Sequence, residues 1–404
     1  MRLLFVSHSL PPDGQPLANV GGMQRVALKL HESLTDKAAG PNDLDLDYDA
    51  LLLRSAWRTL HAKVPFFLAK ACWRIGRAAR NDAVDVVLFS SMVTAGLAVP
   101  LRGLLRRHGV KTAAIVHGLD VTTPFPPYQW FVPKVFDALD AVLPVSRATR
   151  QVCLDRGAHP FQLQVVHNGI DVDRFQPPRN RDTDRAALEQ STGLPTPPSP
   201  PEGLFLCSVG RQVERKGTAW FVDNVMPRLP EDVHYWIAGD GPESSAIQDA
   251  IDRHRLSPRV RHLGRVPNDT LSHLYRGADL FVMPNVPVEN DLEGFGIVLL
   301  EAGQCGTPAI AARLEGIQDV ITDGVNGHLV PPKDPDAFVD ALTAYRGNPE
   351  ALDAAAERAR QHTEATFGWP AVADTYLSVL HNLHTEGEPE AEAVATTAEA
   401  PLST

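Results

Sequence analysis

Two glutamates that enclose a pair of glycines are the residues of this sequence best suited to bind a charged ligand. Glu293 and Glu301 flank Gly294 and Gly296 in the segment MPNVPVENDLEGFGIVLLEAGQCGTP. The pattern predicts a strand, a polar loop and a helix that begins around Phe295, with Glu301 about two turns inside it. The two carboxylates lie eight positions apart in the sequence and therefore suit opposite ends of an elongated ligand. The glycines let backbone amides approach a phosphate; the simpler interpretation is a capping carboxylate and a helix-surface glutamate.

Two cations follow another predicted strand. Arg211 and Lys216 lie five residues apart, after the apolar run Leu204–Val209 and before a predicted helix. Positive charges at a strand end beside a helix start can neutralise a diphosphate leaving group. An isolated pair is also typical of a solvated basic turn. Arg215 lies in the same segment, and we assign it no role from the sequence.

The N-terminal half contains two weaker candidates. Gly21 and Gly22 open a predicted helix, and paired glycines there form a turn that suits an anion, although many such pairs are ordinary turns. His117 directly follows the apolar run Thr112–Val116. A histidine in that position is more often a hydrogen-bonded structural residue than a catalytic one.

Repeated strand–helix pairs predict the framework that positions these residues. Short apolar runs before turns or helices are typical of parallel strands buried on both faces. The predicted N-terminal strands are Leu3–Ser7, Val84–Phe89, Thr112–Val116, Ala141–Pro144 and Gln164–His167. The predicted C-terminal strands are Leu204–Val209, Val233–Ala238, Val260–Leu263, Asp279–Met283 and Pro308–Ala311. Ligands bind at the carboxyl ends of such strands, and two facing edges enclose a cleft.

The length of 404 residues favours two domains over one. We predict an N-terminal α/β domain over 1–175 and a second over 204–368. The Pro-rich stretch 176–203, with PTPPSPPEG, indicates a linker or exposed loop. A C-terminal helix over 369–383 is expected to cross back to the first domain, and the acidic tail 384–404 is expected to be disordered.

Composition narrows the class of protein. Hydrophobic residues make up 44% and charged residues 22%, as in ordinary globular proteins, and no apolar run approaches the roughly 20 residues that span a bilayer. The net charge of −11 argues against nucleic-acid binding. Four scattered cysteines without metal-ligand spacing indicate buried thiols in a reducing cytoplasm.

One basic segment stands out in this acidic chain. Arg54–Arg80 contains seven Lys or Arg residues and no acidic residue. Lys63, Lys70, Arg74 and Arg77 fall on one helical face, and Leu60, Val64, Phe67, Leu68, Ala71 and Ile75 on another. The pattern favours either an anionic membrane surface as a partner, with the protein at the inner face of the cell membrane, or an ordinary helix with its apolar face on the sheet.

These motifs together resemble a known family. The E-x7-E pattern with GFG, LEA and a G-T-P turn, the G-R-x4-K-G segment from Gly210 to Gly217, and the H-G at His117 are similar to those of family-4 retaining glycosyltransferases. The loop before Glu293, with Glu289, Asn290 and Asp291, resembles that of phosphatidylinositol mannosyltransferase-like members. The resemblance extends over roughly residues 2–383. It implies the GT-B fold, in which two Rossmann-like parallel-sheet domains face each other across a cleft.

The resemblance also implies roles for single residues. Glu293 would contact the donor sugar and Glu301 the nucleotide ribose, while His117 would lie close to the reacting sugar. Residues expected near the donor diphosphate are Gly21, Gly22, Arg211, Lys216, Phe295, Gly296 and Ile297. Arg265 and Val266 would lie near the nucleotide base.

The implied reaction moves a hexose from a nucleotide-diphosphate sugar, GDP-mannose or a UDP-sugar, to a glycolipid, polysaccharide or small glycoside. It retains anomeric configuration, and the family usually needs neither a metal nor a cofactor. Two alternatives stay open: a catalytically inactive sugar-nucleotide-binding protein, and a GT-B UDP-sugar epimerase.

Overall fold

The computed structural model describes residues 1–10, 22–40, 45–55, 57–172, 180–289 and 291–385. Its N-terminal strands are β1 (Arg2–Leu10), β2 (Asp47–Arg54), β3 (Val86–Phe89), β4 (Lys111–Val116) and β5 (Ala141–Pro144). They form a five-stranded sheet in the order β2-β1-β3-β4-β5, and every pairing is parallel. This sheet belongs to the first of two domains.

The second domain contains a six-stranded parallel sheet in its described part. Its strands are β6 (Leu204–Val209), β7 (Val233–Ala238), β8 (Val260–Gly264), β9 (Leu280–Met283), β10 (Ala309–Ala312) and β11 (Gly327–Val330). The order β11-β10-β9-β6-β7-β8 places β6 and β9 side by side, so the loops after these two strands are neighbours. The two predicted parallel-sheet domains are thus confirmed.

Helices cover both faces of the first sheet. They are α1 (Gly22–Ala39), α2 (Trp57–Arg80), α3 (Met92–Ala95), α4 (Ala98–Arg107), α5 (Leu119–Thr122), α6 (Pro126–Ala138) and α7 (Arg147–Asp155). Alternate residues of β1 point to opposite faces. Phe5 belongs to the same buried cluster as Leu30 of α1, and Val6 to the same cluster as Ile75 of α2.

The remaining helices follow the first domain in the chain. They are α8 (Arg181–Thr192), α9 (Thr218–Asn224), α10 (Ser244–Arg253), α11 (Asn268–Gly277), α12 (Ile297–Gln304), α13 (Ile317–Val320), α14 (Pro335–Thr343), α15 (Pro349–Phe367) and α16 (Trp369–Thr385). None of the helices in the described ranges combines the length and apolar character needed to cross a membrane.

The predicted linker over 176–203 is wrong for residues 181–192, which form α8. The Asn180 side chain caps this helix by accepting from the Asp182 amide at 2.7 Å, and Gly193 ends it with φ 69°. Arg185 is buried and donates to the Gly277 carbonyl at 2.8 Å and to Asp279 Oδ1 at 3.0 Å. This helix was not predicted because the proline-rich run after it dominates the composition of the segment. Residues 176–179 lie outside the described part.

Two strands of the structure were not predicted, and one predicted strand does not form. Neither β2 nor β11 was predicted, because β2 begins with polar residues at a half-exposed sheet edge and β11 is a four-residue strand that starts with glycine. Gln164–His167 is extended beside β5, but its one bridge there joins Leu163 to Val142, so it does not form a sixth strand.

Two crossings of the chain between the domains lie side by side. The Ile170 amide donates to the Phe367 carbonyl at 2.7 Å, and Ile170 also bridges to Gly368. The Trp369 ring packs so closely on Gly169 that an added Cβ would lie 2.6 Å from it. From there α16 runs along α1 and ends at Thr385, two residues beyond its predicted end. Residues 386–404 of the predicted tail lie outside the described part.

Candidate active site

The loop that carries Glu293 meets the first domain at the carboxyl edges of both sheets. It follows β9, and a Cβ added at Gly294 would lie 3.3 Å from the His117 carbonyl oxygen at the end of β4. Leu292 packs on the buried cluster beneath α2, α4 and α6. The structure therefore brings together the predicted candidates Glu293 and His117 from opposite halves of the chain.

The Glu293 carboxylate is buried and surrounded by donors from its own domain. Its Oε2 accepts from Arg215 Nη1 at 2.5 Å, from Lys216 Nζ at 2.5 Å and from Asn285 Nδ2 at 3.3 Å. Burial alone would raise the pKa of Glu293, but the charges of Lys216 and Arg215 outweigh it and lower that pKa. Glu293 is thus an anion at neutral pH. Its Oε1 accepts no hydrogen bond from the described residues and can accept one from a ligand.

The backbone of Glu293 is fixed by the loop after β10. The Glu293 amide donates to the Glu315 carboxylate, and the Gly316 amide donates to the Glu293 carbonyl at 3.1 Å. A Cβ at Gly316 would lie 2.3 Å from the Gly294 carbonyl oxygen, so only glycine permits this approach. Burial raises the pKa of Glu315, and its φ of 44° marks local strain. Glu293 is therefore held in place through both its backbone and its side-chain carboxylate.

Glu301 is held by both domains. It accepts from Tyr275 OH at 2.8 Å in the second domain, and Arg25 Nη1 of α1 lies 3.5 Å from its Oε1. Gly22 is the first residue of α1, and Gly21 lies outside the described residues. The helix that the glycine pair was predicted to open thus contributes Arg25 to the surroundings of Glu301.

The helix after Glu293 begins later than predicted. Gly296 is its N-cap with φ 86°, Ile297 is the first residue of α12, and Glu301 is the fifth, little more than one turn inside. The Phe295 ring is buried and stacks on His167 with 5.5 Å between ring centroids. Only the backbone at Phe295 is therefore available to a ligand.

The two cations predicted to bind the diphosphate, Arg211 and Lys216, have different surroundings in the structure. Lys216 Nζ contacts Glu293, whereas the Arg211 side chain is exposed and forms no hydrogen bond or ion pair with any described residue. Both follow β6, and the Lys216 methylenes pack beside Gly210. Arg211 is therefore free to meet a ligand, and Lys216 can do so by leaving Glu293.

His117 is anchored through its ring and its backbone. Its Nε2 lies 3.1 Å from the Ser90 carbonyl, to which it donates, and its amide donates to Asp120 Oδ1 at 2.9 Å. Burial raises the pKa of Asp120, which the nearby His117 opposes. Nδ1 of His117 makes no hydrogen bond within the described structure, so this face of the ring can meet a ligand.

His8, which we did not predict, lies on the same edge of the first sheet. Burial lowers its pKa to about 4, so its imidazole is neutral at pH 7. Its Nδ1 lies 3.5 Å from Ser91 Oγ, next to the Ser90 that binds His117. His8 lies in β1 and His117 directly follows β4. Because β3 lies between these two strands, both histidines lie at the same edge of the sheet.

Arg265 and Val266 follow β8 at the outer edge of the second sheet. Arg265 is exposed, and Val266 is half-buried against the main core. In the described part of the chain, neither forms a hydrogen bond or ion pair with Glu301 or Glu293. They line the same sheet edge as Gly239, whose carbonyl lies 3.0 Å from His262 Nε2.

Five residues in contact with the two glutamates were not predicted. They are Arg25, Arg215, Tyr275, Asn285 and Glu315. The sequence did contain a signal for Arg215, because this residue adjoins Lys216 and its charge complements the acidic loop before Glu293. Arg25 and Tyr275 had none, because their contacts join segments far apart in the chain.

Further contacts hold the two domains together beside this site. At the start of α7, the Arg147 amide donates to Asp319 Oδ2 at 2.8 Å and its guanidinium to the Gln318 carbonyl at 2.9 Å. Within the first domain, Lys29 of α1 pairs with Asp171 at 2.8 Å, next to the chain crossing at Ile170. No group of three or more His, Cys, Asp or Glu among the described residues could hold a metal ion.

Solved structures with this arrangement include a glycosyltransferase from Rickettsia africae, with a TM-score of 0.68 and 16% identity, which covers 96% of this chain and 99% of its own. HepE from Anabaena in complex with UDP aligns with a TM-score of 0.67 and 17% identity, covering 94% of this chain and 99% of its own. Sucrose-phosphate synthase from Thermosynechococcus elongatus aligns with a TM-score of 0.67 and 20% identity, covering 95% and 98%. The two facing parallel-sheet domains therefore have the GT-B fold.

Sequence comparison defines the family. The model for "Glycosyltransferase Family 4" matches residues 20–174, and that for "Glycosyl transferases group 1" matches residues 203–347. D-inositol 3-phosphate glycosyltransferase 2 of Catenulispora acidiphila is 31% identical over 266 residues, which are 62% of this chain and 58% of that protein. The chain thus spans less than two thirds of this curated relative. Residues 20–174 and 203–347, which together make up most of the chain, are thus glycosyltransferase domains of family 4 and group 1.

Proposed function

We propose that this protein is a retaining glycosyltransferase that moves a hexose from a nucleotide-diphosphate sugar to a glycolipid, polysaccharide or small glycoside. The observation that carries the proposal is the Glu293 carboxylate, kept ionised by Arg215 and Lys216, in a loop whose next residue, Gly294, lies beside the His117 carbonyl of the first domain. Its Oε1 suits a sugar hydroxyl. HepE, which has the same fold, binds UDP, and this supports a nucleotide-sugar donor.

The proposed donor site extends from Glu293 to Glu301. Glu293 would bind the donor sugar, and Glu301 would bind the ribose hydroxyls after exchange with Arg25. Arg211, Lys216 and the amides from Phe295 to Ile297, together with the glycine turn at Gly21 and Gly22, would surround the diphosphate. Arg265 and Val266 would lie at the base. GDP-mannose and UDP-sugars are the donors we propose to test first.

The proposed mechanism needs no metal and no cofactor. Arg211, Lys216 and the amides before α12 can together neutralise a departing diphosphate. The Glu293 carboxylate is bound by two cations through one oxygen, which favours a role in binding over one as nucleophile. We therefore propose front-face attack, in which the leaving phosphate helps to deprotonate the acceptor and His117 contacts the reacting sugar.

A donor screen tests this function. Thermal shift and donor hydrolysis are measured with GDP-mannose, UDP-glucose, UDP-N-acetylglucosamine and ADP-glucose, with and without EDTA. We expect one donor to bind and to be hydrolysed in both conditions, and its transfer product to keep the anomeric configuration in the NMR spectrum. Nucleotide binding without turnover would favour the inactive binding protein, and interconversion of UDP-sugars would favour the epimerase.

We propose that an anionic membrane surface is a further partner. The apolar face of α2 packs on the first sheet through Phe67, Leu68, Ala71 and Ile75, as the ordinary-helix interpretation requires. The outer face adds two aromatic side chains that we did not predict, Phe66 at 81% exposed and Trp73 at 61%. Arg54, at the end of β2, lies outside the helix.

Charge on this outer face supports a lipid partner. Lys63, Lys70 and Arg77 are exposed and form no ion pair with any described residue, whereas Arg74 pairs with Asp49 at 3.1 Å. Exposed aromatic rings among cations are typical of helices that lie in a membrane interface. The proposed location is the cytoplasm, at the inner face of the cell membrane.

Liposome flotation at low salt tests the membrane proposal. We expect binding to vesicles with anionic lipid, and none to neutral vesicles. Changing Lys63, Lys70 and Arg77 to glutamine should abolish flotation, whereas changing Arg228, Arg253 and Arg346 of the second domain to glutamine should not. Equal flotation of both triple variants would contradict the proposal.

A further inference from the structure

Arg215 ties together the loops after β6 and β9. Its Nη1 donates to Glu293 Oε2 at 2.5 Å and its Nε to Asp291 Oδ1 at 2.9 Å. Its carbonyl accepts from the Val286 amide at 3.0 Å. The loop that carries Glu293 is therefore fixed to Arg215 near its start and at its end.

Lys216 makes a different kind of contact with the same oxygen. Its Nζ reaches Glu293 Oε2 at 2.5 Å, and no other hydrogen bond or ion pair of its ammonium occurs in the described structure. An ammonium group on a four-carbon stem can turn to a new partner, whereas a guanidinium bound to two carboxylates is fixed in one plane. Lys216 is thus the cation that can move, and Arg215 the one that stays.

Moving Lys216 has a cost that Arg215 can offset. The Glu293 side chain is about nine-tenths buried, and a buried carboxylate that loses all its cations is strongly destabilised. If Lys216 turns to a diphosphate, Arg215 alone among these two cations still pairs with Glu293. Without Arg215, Lys216 would have to serve either the carboxylate or the phosphate.

We infer that Arg215 is a positioning residue, which holds the Glu293 carboxylate in place at the donor sugar while Lys216 binds the diphosphate. The inference rests on the proposed function and adds a residue to its site. Asp291 serves as the outer anchor of Arg215. The sugar-binding carboxylate and the leaving-group cation can then act at the same time.

The inference has a pH signature. The charged and titratable groups around Glu293 are Lys216 and Arg215 after β6, Asp291 in its own loop and Glu315 after β10. From the first domain, His117 reaches the neighbouring Gly294 with its backbone carbonyl. Arg215 and Lys216 together lower the pKa of Glu293. Activity that needs ionised Glu293 persists above that pKa and is lost as the pH falls through it. Removal of Arg215 should therefore move the acid limb of kcat/KM to higher pH.

The experiment compares Arg215→Met and Arg215→Lys with the wild type, using the donor found by the screen. For Arg215→Met we expect kcat to fall roughly ten- to a hundredfold, the scale of a lost hydrogen bond between charged groups. The donor KM should change less, by about threefold or below, and the acid limb should shift upward. Arg215→Lys keeps the charge and should restore the acid limb and part of kcat.

Two further variants separate positioning from folding. Asp291→Asn removes the outer anchor from a half-exposed position and should lower kcat by about twofold to threefold, with an unchanged melting temperature. Arg313→Met is the matched control, because Arg313 also pairs with an aspartate of the second domain, Asp323 at 2.7 Å, and it should behave as wild type.

Two results would overturn the inference. One is a wild-type kcat and acid limb in Arg215→Met. The other is a large rise in donor KM with the acid limb unmoved, which would make Arg215 a direct ligand of the diphosphate. A wild-type chain that neither binds nor turns over any nucleotide sugar would instead overturn the proposed function itself.

Discussion

Glu293 and Glu301 belong to one motif and are almost equally buried, at 8% and 6% exposed, yet their partners come from different places. Every described donor to the Glu293 carboxylate belongs to the second domain. Glu301 binds Tyr275 of that domain and Arg25 of the first. The sugar end of the proposed site is therefore formed by one domain, and the nucleotide end depends on how the two domains meet.

The largest effect is expected at the sugar end. Glu293→Gln removes the charge that Arg215 and Lys216 stabilise and should lower transfer by about a hundredfold or more, the scale seen when one transition-state contact is lost. Calorimetry should show that UDP or GDP still binds. Glu289→Gln, at an exposed position of the same loop, is the control. Full activity of the Glu293 variant would contradict the assignment of Glu293 to the sugar end of the site.

At the nucleotide end, Glu301→Gln should weaken the nucleotide itself. Loss of a charged hydrogen-bond acceptor predicts a Kd for UDP or GDP that rises roughly ten- to a hundredfold. The exposed Glu350 of α15 provides the control Glu350→Gln. If the Kd were unchanged while kcat fell, Glu301 would act at the sugar, as Glu293 does. The two glutamates would then not mark separate sugar and nucleotide ends of the site.

Removal of the Tyr275 hydroxyl should have a smaller effect of the same kind. Tyr275→Phe deletes one hydrogen bond to Glu301 and should raise the nucleotide Kd by about fivefold. Tyr345→Phe, which deletes the contact with His328 at 3.0 Å in the outer part of the second domain, should leave the Kd unaltered. Equal behaviour of the two variants would mean that Tyr275 does not support Glu301.

The smallest effect sharpens the role of the first domain. Arg25 Nη1 lies 3.5 Å from Glu301, a long contact, so Arg25→Met should change the nucleotide Kd by only about twofold to threefold. The acid limb of kcat/KM should stay in place, because Glu293 has no described donor from α1. A shift of that limb would show that the sugar end also depends on the first domain.

The sequence predicts the sheet that carries the site better than it predicts the edges of the fold. Leu204–Val209 and Val233–Ala238 match β6 and β7 because strands buried on both faces must be apolar throughout. β2 and β11 lie at sheet edges, where solvent exposure permits polar residues and glycine, and they were missed. Helix α8 was hidden by the proline run beside it.

The same limit applies to the site. The spacing of Glu293 and Glu301 is local, as is that of Arg211 and Lys216, so a sequence motif can carry each of them. The contacts of Arg215 with Asp291, and of Arg25 with Glu301, join residues 76 and 276 positions apart. Such pairs depend on strand order and on the meeting of two domains, which a single sequence does not contain.

The paired chain crossings at Ile170 and Gly368 have a consequence for the speed of the proposed reaction. Because both covalent connections lie at one point, the domains can turn about it without stretching the backbone. The free energy of opening then resides in side-chain contacts such as Arg147 with Asp319 and Arg25 with Glu301. A nucleotide that displaced Arg25 would exchange one of these contacts for its own, so we expect product release in the proposed reaction to be coupled to domain opening.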